Sequence, residues 1–144
     1  MGAAVLCDKR RATGEMRLDQ LLPVGPRAAA EARRSLTPVC RELPSDRADD
    51  VRLMVSELVT NAFLHAGLAR GDTVHLTAVM DSGRLRIEVE DEGNGFRRKA
   101  VTAAAADRAS GWGLTIVARL SDRWGVVNEG STKVWFEIDA RRVA

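Results

Sequence analysis

Two stretches of strict alternation, residues 73 to 80 and 84 to 91, constrain what this chain can fold into more than any other feature. A period of two sends successive side chains to opposite faces of a strand. The segment Asp81-Ser82-Gly83 between them suits a three-residue hairpin loop. In the second stretch Leu85, Ile87 and Val89 share one face, while Arg84, Arg86, Glu88 and Glu90 share the other. Such a hairpin is wet on one side and needs a covering layer on its apolar side. The same parity puts Asp91 on the apolar face, where a carboxylate is costly unless something donates hydrogen bonds to it.

Helical patterns supply the cover. Ser45 is placed to cap a long helix, Asp46, Asp49 and Asp50 complement the positive end of its dipole, and the pattern runs to Ala66 before Gly67. At 100° per residue Val51, Val55, Leu58, Ala62 and Ala66 form one apolar stripe, and Glu57, Asn61 and His65 climb its flank at i, i+4, i+8. Before it, Met16, Leu18, Gln20 and Leu22 alternate as a short strand stopped by Pro23 and Gly25. Pro26 then opens an Ala/Arg-rich helix towards Leu36, which Pro38 ends or kinks.

After Asp91 come two glycine-rich turns, Gly93-Asn94-Gly95 and Gly111-Trp112-Gly113, with the second opening a helix through Leu114, Ile116, Val117 and Leu120. Glycines let a ligand approach the backbone, and a helix start leaves N–H groups for an anion. Between the turns lie a basic cluster, Arg97-Arg98-Lys99, and an Ala-rich stretch with Arg108, read as a solvated, short lid. Two strands close the chain, Arg123 to Val127 and Ser131 to Ile138, turned by Asn128-Glu129-Gly130. Thr132 shares parity with Val134, Phe136 and Ile138, so its hydroxyl faces the core.

One chemistry accounts for these features together. A buried Asp91 accepts from the exocyclic amine of adenine, Thr132 adds a polar contact beside it, and the glycine-opened helix holds phosphates. Asn61 offers a single oxygen to Mg²⁺, an ion that keeps water and phosphate as its other ligands. Glu57, one turn earlier, is left to act on a nucleophile.

At 144 residues the chain suits a single domain, and 22 basic against 20 acidic residues leave no polybasic tail. No apolar run approaches the ~18 residues of a membrane span, and no signal segment opens the chain, so a soluble, cytoplasmic protein without a membrane partner is expected. Cys7 and Cys40 are read as free thiols. His75 is read as a surface residue. Trp112, Trp124 and Trp135 are too scattered for a stacking platform, so no direct nucleic-acid partner is expected, although an exposed Trp135 would mark a protein surface.

At these residues the chain resembles the Bergerat-fold (GHKL) ATPase superfamily, and within it the small anti-sigma factor serine kinases. Ser56-Glu57-Leu58-Val59-Thr60-Asn61-Ala62 with His65 is similar to their N box, Asp91-Glu92-Gly93-Asn94-Gly95 to their first glycine box, and Ser110-Gly111-Trp112-Gly113-Leu114 to their second. The likeness covers roughly residues 16 to 139. It implies an α/β two-layer sandwich, a mixed and mostly antiparallel sheet with three helices on one face, in a domain spanning residues 16–144; residues 1–15, with no sustained period and with Lys9, Arg10 and Arg11, are read as a flexible leader.

The resemblance further assigns Asn61 to magnesium and phosphate, Asp91 to the adenine amine, and Gly93 and Gly95 to the adjoining turn. It places Gly111 and Gly113 at the phosphate end of the lid, Thr132 on the adenine side, and Glu57 as catalytic base. ATP and Mg²⁺ are the implied cofactors. An anti-anti-sigma protein of the STAS type and a sigma factor are the implied partners, with room for a homodimer. Three functions stay open: a protein-serine kinase, a non-catalytic module whose bound ATP sets a conformation, and a histidine-kinase catalytic domain. The kept Glu57 favours the first and the short lid the second. With no dimerising phosphoacceptor helix ahead of the domain, the third ranks last.

Overall fold

A computed structural model describes residues 6–10, 15–23, 25–65, 72–91 and 114–141. Six strands, β1 (Leu6–Arg10), β2 (Glu15–Pro23), β3 (Thr73–Asp81), β4 (Arg84–Asp91), β5 (Arg123–Glu129) and β6 (Ser131–Asp139), form one sheet in the order β1-β2-β3-β4-β6-β5. Four helical segments, α1 (Ala28–Ser35), α2 (Thr37–Cys40), α3 (Ser45–His65) and α4 (Leu114–Leu120), complete the described fold.

Every strand pair is antiparallel. The sheet is therefore not the mixed one expected: among the described residues no parallel pair occurs, because β6 lies between β4 and β5, which run the same way. The segment expected to be a flexible leader contains β1, which pairs with β2 from Leu6↔Asp19 to Arg10↔Glu15. Pairing with an open edge is a long-range gain that periodicity within five residues does not reveal.

Alternation divides the sheet as expected. Leu18, Leu22, Val74, Leu76, Ala78, Leu85, Ile87, Val89, Phe136 and Ile138 are almost wholly buried on one face. The helices lie on that face, α1 against β2 and α3, and α3 against β4. Each such aliphatic side chain contributes about 1.5–3 kcal/mol on burial. Along α3 the stripe is wider than expected, because Met54 and Val59 join Val51, Val55 and Leu58 in full burial while Ala62 sits at its margin.

Local differences from the sequence reading have local causes. Pro38 splits the first helix, so Leu36 ends α1 and begins α2, giving four helical segments where three were expected. Pro44 supplies the carbonyl that Ala48 N–H bonds at 2.9 Å, which makes Ser45 the first helical residue rather than a cap outside the helix. The β3–β4 hairpin uses two turn residues rather than three: Asp81 pairs with Arg84, and Ser82 (φ 52°) and Gly83 (φ 77°) both occupy the left-handed region. Gly130 (φ 76°) alone separates paired Glu129 and Ser131, so β5 runs two residues past its expected end.

The other sheet face carries charge. Arg86 bonds both Glu88 and Glu137, Arg84 reaches Glu137, and Lys133 lies within 3.5 Å of Glu88 and Glu90. Burial pushes the Glu88 carboxyl up, but its hydrogen bonds and charge contacts with Arg86 and Lys133 outweigh this and hold it below the usual carboxylate range. His75 lies on this face as expected, hydrogen-bonded to Asp19 on the neighbouring strand. Trp135, expected to be exposed, is half-buried: its indole lies over Gly125, and the Arg86 guanidinium stacks 4.2 Å from the ring centroid.

Candidate functional site

The site begins with one row of side chains across the helix-facing side of the sheet. Leu22 pairs with Val74, Val74 with Asp91, Asp91 with Thr132, and Thr132 with Asn128. Leu22 and Val74 make one end of this row dry, whereas β4, β6 and β5 contribute an acid, a hydroxyl and an amide. Asp91 is 3% exposed and Thr132 7%. The parity argument thus placed both side chains correctly, and the β4–β6 register makes them neighbours.

Above the sheet, α3 carries Glu57 and Asn61 one turn apart, each partly buried at the edge of the apolar stripe. α3 lies against β4, the strand that ends in Asp91. Asn61 Nδ2 and Thr132 Oγ1 are buried atoms without a hydrogen-bond partner among the described residues. Leaving such a group unmet costs about 1–3 kcal/mol, which a bound polar molecule removes. An amide N–H aimed at a phosphate oxygen frees Asn61 Oδ1 for a hard cation, and the Thr132 hydroxyl can donate or accept beside a purine ring. The residues present therefore fit a nucleotide with its divalent ion.

Two flanking features carry no signal in the sequence. Arg33 on α1 donates from Nη1 to Ser56 Oγ at 2.9 Å, which brings a guanidinium to the residue before Glu57. Leu53, one turn before Glu57 on the same line of α3, is 45% exposed. Neither has a motif signature, since both are placed by how α1 and α3 pack. Gln20 on β2 is also buried with an unmet Oε1, one row below Asp91 and two strands away.

Arg47, buried near the start of α3, donates to the Leu120 carbonyl at the end of α4 at 3.3 Å. This contact holds together the two helices on which the remaining motifs converge. Gly93, Gly95, Gly111 and Gly113 lie outside the described residues, as do the lid at 96–110 and the His65 side chain. Their flanks are placed: β4 ends at Asp91, directly before the first glycine turn, and α4 begins at Leu114, directly after the second.

A profile of the histidine kinase-like ATPase domain matches residues 22–138, a span running from the Leu22–Val74–Asp91–Thr132 row to the end of β6. The chain belongs to this family. The ATPase domain is accordingly an ATP-binding unit, which agrees with the buried acid and hydroxyl on its sheet. Among individual proteins, it is 37% identical over 90 residues to an anti-sigma F factor of Clostridium acetobutylicum, covering 58% of this chain and 63% of that protein. A second anti-sigma F factor, from Halalkalibacterium halodurans, is 32% identical over 91 residues, covering 58% and 62%. A third, from Bacillus cereus, is 29% identical over 90 residues, covering 57% and 61%. The chain thus spans about three-fifths of the length of the curated relatives it matches. No helix among the described residues is long and apolar enough to cross a membrane.

Proposed function

We propose that this ATPase domain is an anti-sigma-type protein-serine kinase, using ATP with Mg²⁺ to phosphorylate an anti-anti-sigma partner and holding a sigma factor when that partner is modified. The observation that carries the reading is the ladder on α3: a carboxylate one turn from an amide whose buried Nδ2 is unmet, on a helix lying against the strand that ends in Asp91. A domain that only sensed ATP needs Asn61 and Asp91 but has no use for Glu57 beside them. The anti-sigma F names of the similar proteins point to the same class of partner.

When bound, ATP would supply the γ-phosphoryl group and leave as ADP, and Mg²⁺ would offset the charge that develops during transfer. Asp91 selects adenine by accepting from its amine, because guanine presents a carbonyl at that place. Thr132 orients the ring from the adjacent strand. Asn61 would hold one metal position through Oδ1 and would donate from Nδ2 to a phosphate oxygen. Glu57 orients the incoming serine hydroxyl and takes its proton, within reach because one helical turn rises ~5.4 Å. Gly93, Gly95, Gly111 and Gly113 are assigned to the backbone turns around adenine and the phosphates. Exposed Leu53, next on the same helix line, gives a protein acceptor an apolar contact beside the base. Slow hydrolysis without a partner follows, since water lacks the positioning of a docked serine.

The test incubates labelled ATP with candidate anti-anti-sigma proteins, using wild type and Glu57→Ala. Label on a partner serine or threonine with wild type alone establishes the kinase. A partner that binds while ATP stays intact replaces the kinase with an ATP-set binding module.

A further inference from the structure

Arg47, near the start of α3, is 7% exposed. A guanidinium is a costly way to fill a core, because an apolar side chain of similar volume fills it without losing the hydration of a charge. Its hydrogen bond gives it a use. Nη1 donates at 3.3 Å to the carbonyl of Leu120, the last residue of α4.

α4 has 7 residues, too few to be stable alone, so contacts from outside settle where it lies. Leu114 and Val117 are buried in the core, and Ile116 and Leu120 pack against its margin. Such apolar contacts have no direction and tolerate a helix that slides or turns. Hydrogen bonds do not. Ser121 closes the end of α4 with its N–H and hydroxyl on the Val117 carbonyl, Asp122 N–H reaches the Glu137 carbonyl at 2.9 Å, and Asp122 Oδ2 accepts from Asp139 N–H at 2.7 Å. These bonds tie the exit of α4 to β6. Arg47 ties it to α3, placing a cation where a helix leaves its last carbonyls unmet.

We propose that Arg47 is a positioning residue for the phosphate end of the nucleotide site: by fixing α4 against α3, it sets how Asn61 and the glycine turn directly ahead of Leu114 stand to one another. Arg47 and Asn61 share one continuous helix, ~21 Å apart along its axis, and Leu114 follows Gly113 directly in the chain. The inference deepens the ATP reading of the site and rests on the assignment of Gly111 and Gly113 to the phosphates. Adenine is assigned to Asp91 and Thr132 on the sheet, so loss of Arg47 acts on the phosphate share of affinity and spares the base share.

The experiment titrates the full chain calorimetrically with ATP and with adenosine, in magnesium, for wild type, Arg47→Met, Arg47→Gln and Arg47→Lys. Far-UV circular dichroism and thermal melts of each nucleotide-free protein establish which variants fold. Met fills the volume with no donor, Gln keeps a short neutral one, and Lys restores a cation of similar reach. A Kd for ATP raised roughly tenfold in a folded neutral variant, with adenosine within roughly twofold and Lys returning ATP to within roughly threefold, supports the proposal. Equal losses for ATP and adenosine, no loss for either, a lysine variant no better than the neutral ones, or two neutral variants that do not fold would each make Arg47 structural and overturn it. A wild type that binds neither ligand overturns the nucleotide reading as well, which separates that failure from the failure of this inference alone.

Discussion

Asp91 and Thr132 are direct partners across the β4–β6 ladder, both nearly inaccessible on the helix-facing side of the sheet. They are 41 residues apart in the chain, and no pattern within either strand pairs them. Their juxtaposition makes a two-point recognition row on that face.

Asp91→Asn should weaken adenine-nucleotide binding by about 1.5–3 kcal/mol, the range for a hydrogen bond to a charged group. A fluorescent ATP analogue competed with ATP and with GTP measures this. Equal competition by GTP in the wild type would refute adenine recognition. Thr132→Val should also weaken binding. It should leave the nucleotide-free protein as stable or about 1 kcal/mol more stable, because an unmet buried hydroxyl is replaced by a methyl group. Thermal melts with and without ATP separate the two effects.

Asn61 and Glu57 should behave differently although they sit one turn apart. Asn61→Ala should abolish the magnesium dependence of ATP binding, whereas Glu57→Ala should leave affinity nearly unchanged and stop any transfer. Calorimetric titration with and without magnesium reads the first, and a phosphotransfer assay the second. A similar loss of affinity in both variants would make the ladder structural.

Gly125→Ala should destabilise the fold by about 1–3 kcal/mol, since the new Cβ would lie 2.7 Å from Trp135 Nε1 and 2.9 Å from two ring carbons. The indole is rigid and already holds Arg86, so the ring must shift and lose that contact. Gly130→Ala meets no neighbouring atom and suffers only its positive φ, about 1–2 kcal/mol. Urea denaturation of the pair would separate steric clash from backbone strain by the accompanying loss or retention of the Trp135 fluorescence environment.

Glu88 should contribute to acid sensitivity. Its folded pKa lies below 4.5, so its ion pairs stabilise the protein above the ordinary carboxylate range and lose that contribution as pH falls through 4.5 towards the folded value. Glu88→Gln should therefore cost about 0.5–1 kcal/mol at neutral pH and progressively less below pH 4.5. Denaturation midpoints for both proteins across this range provide the measurement. A deficit that grows on acidification would contradict the assignment.

Much of this protein is written in short-range pattern. Periods of two and 3.6 are properties of neighbouring residues, so alternation alone put Asp91 and Thr132 on the core face and spacing alone lined up Glu57 with Asn61. Proline and glycine marked most element ends for the same reason. Tertiary structure decided what lies beside what. It inserted β6 between β4 and β5, which made Thr132 the partner of Asp91 and put β5 at the edge of the described sheet. It drew residues 6–10 into a sixth strand, brought Arg33 to Ser56, and covered Gly125 with the indole of Trp135. Strand order, edge pairing and helix contacts are settled by closing loops and burying surfaces far apart in the chain. Those energies depend on the whole fold, and a window of a few residues carries no record of them.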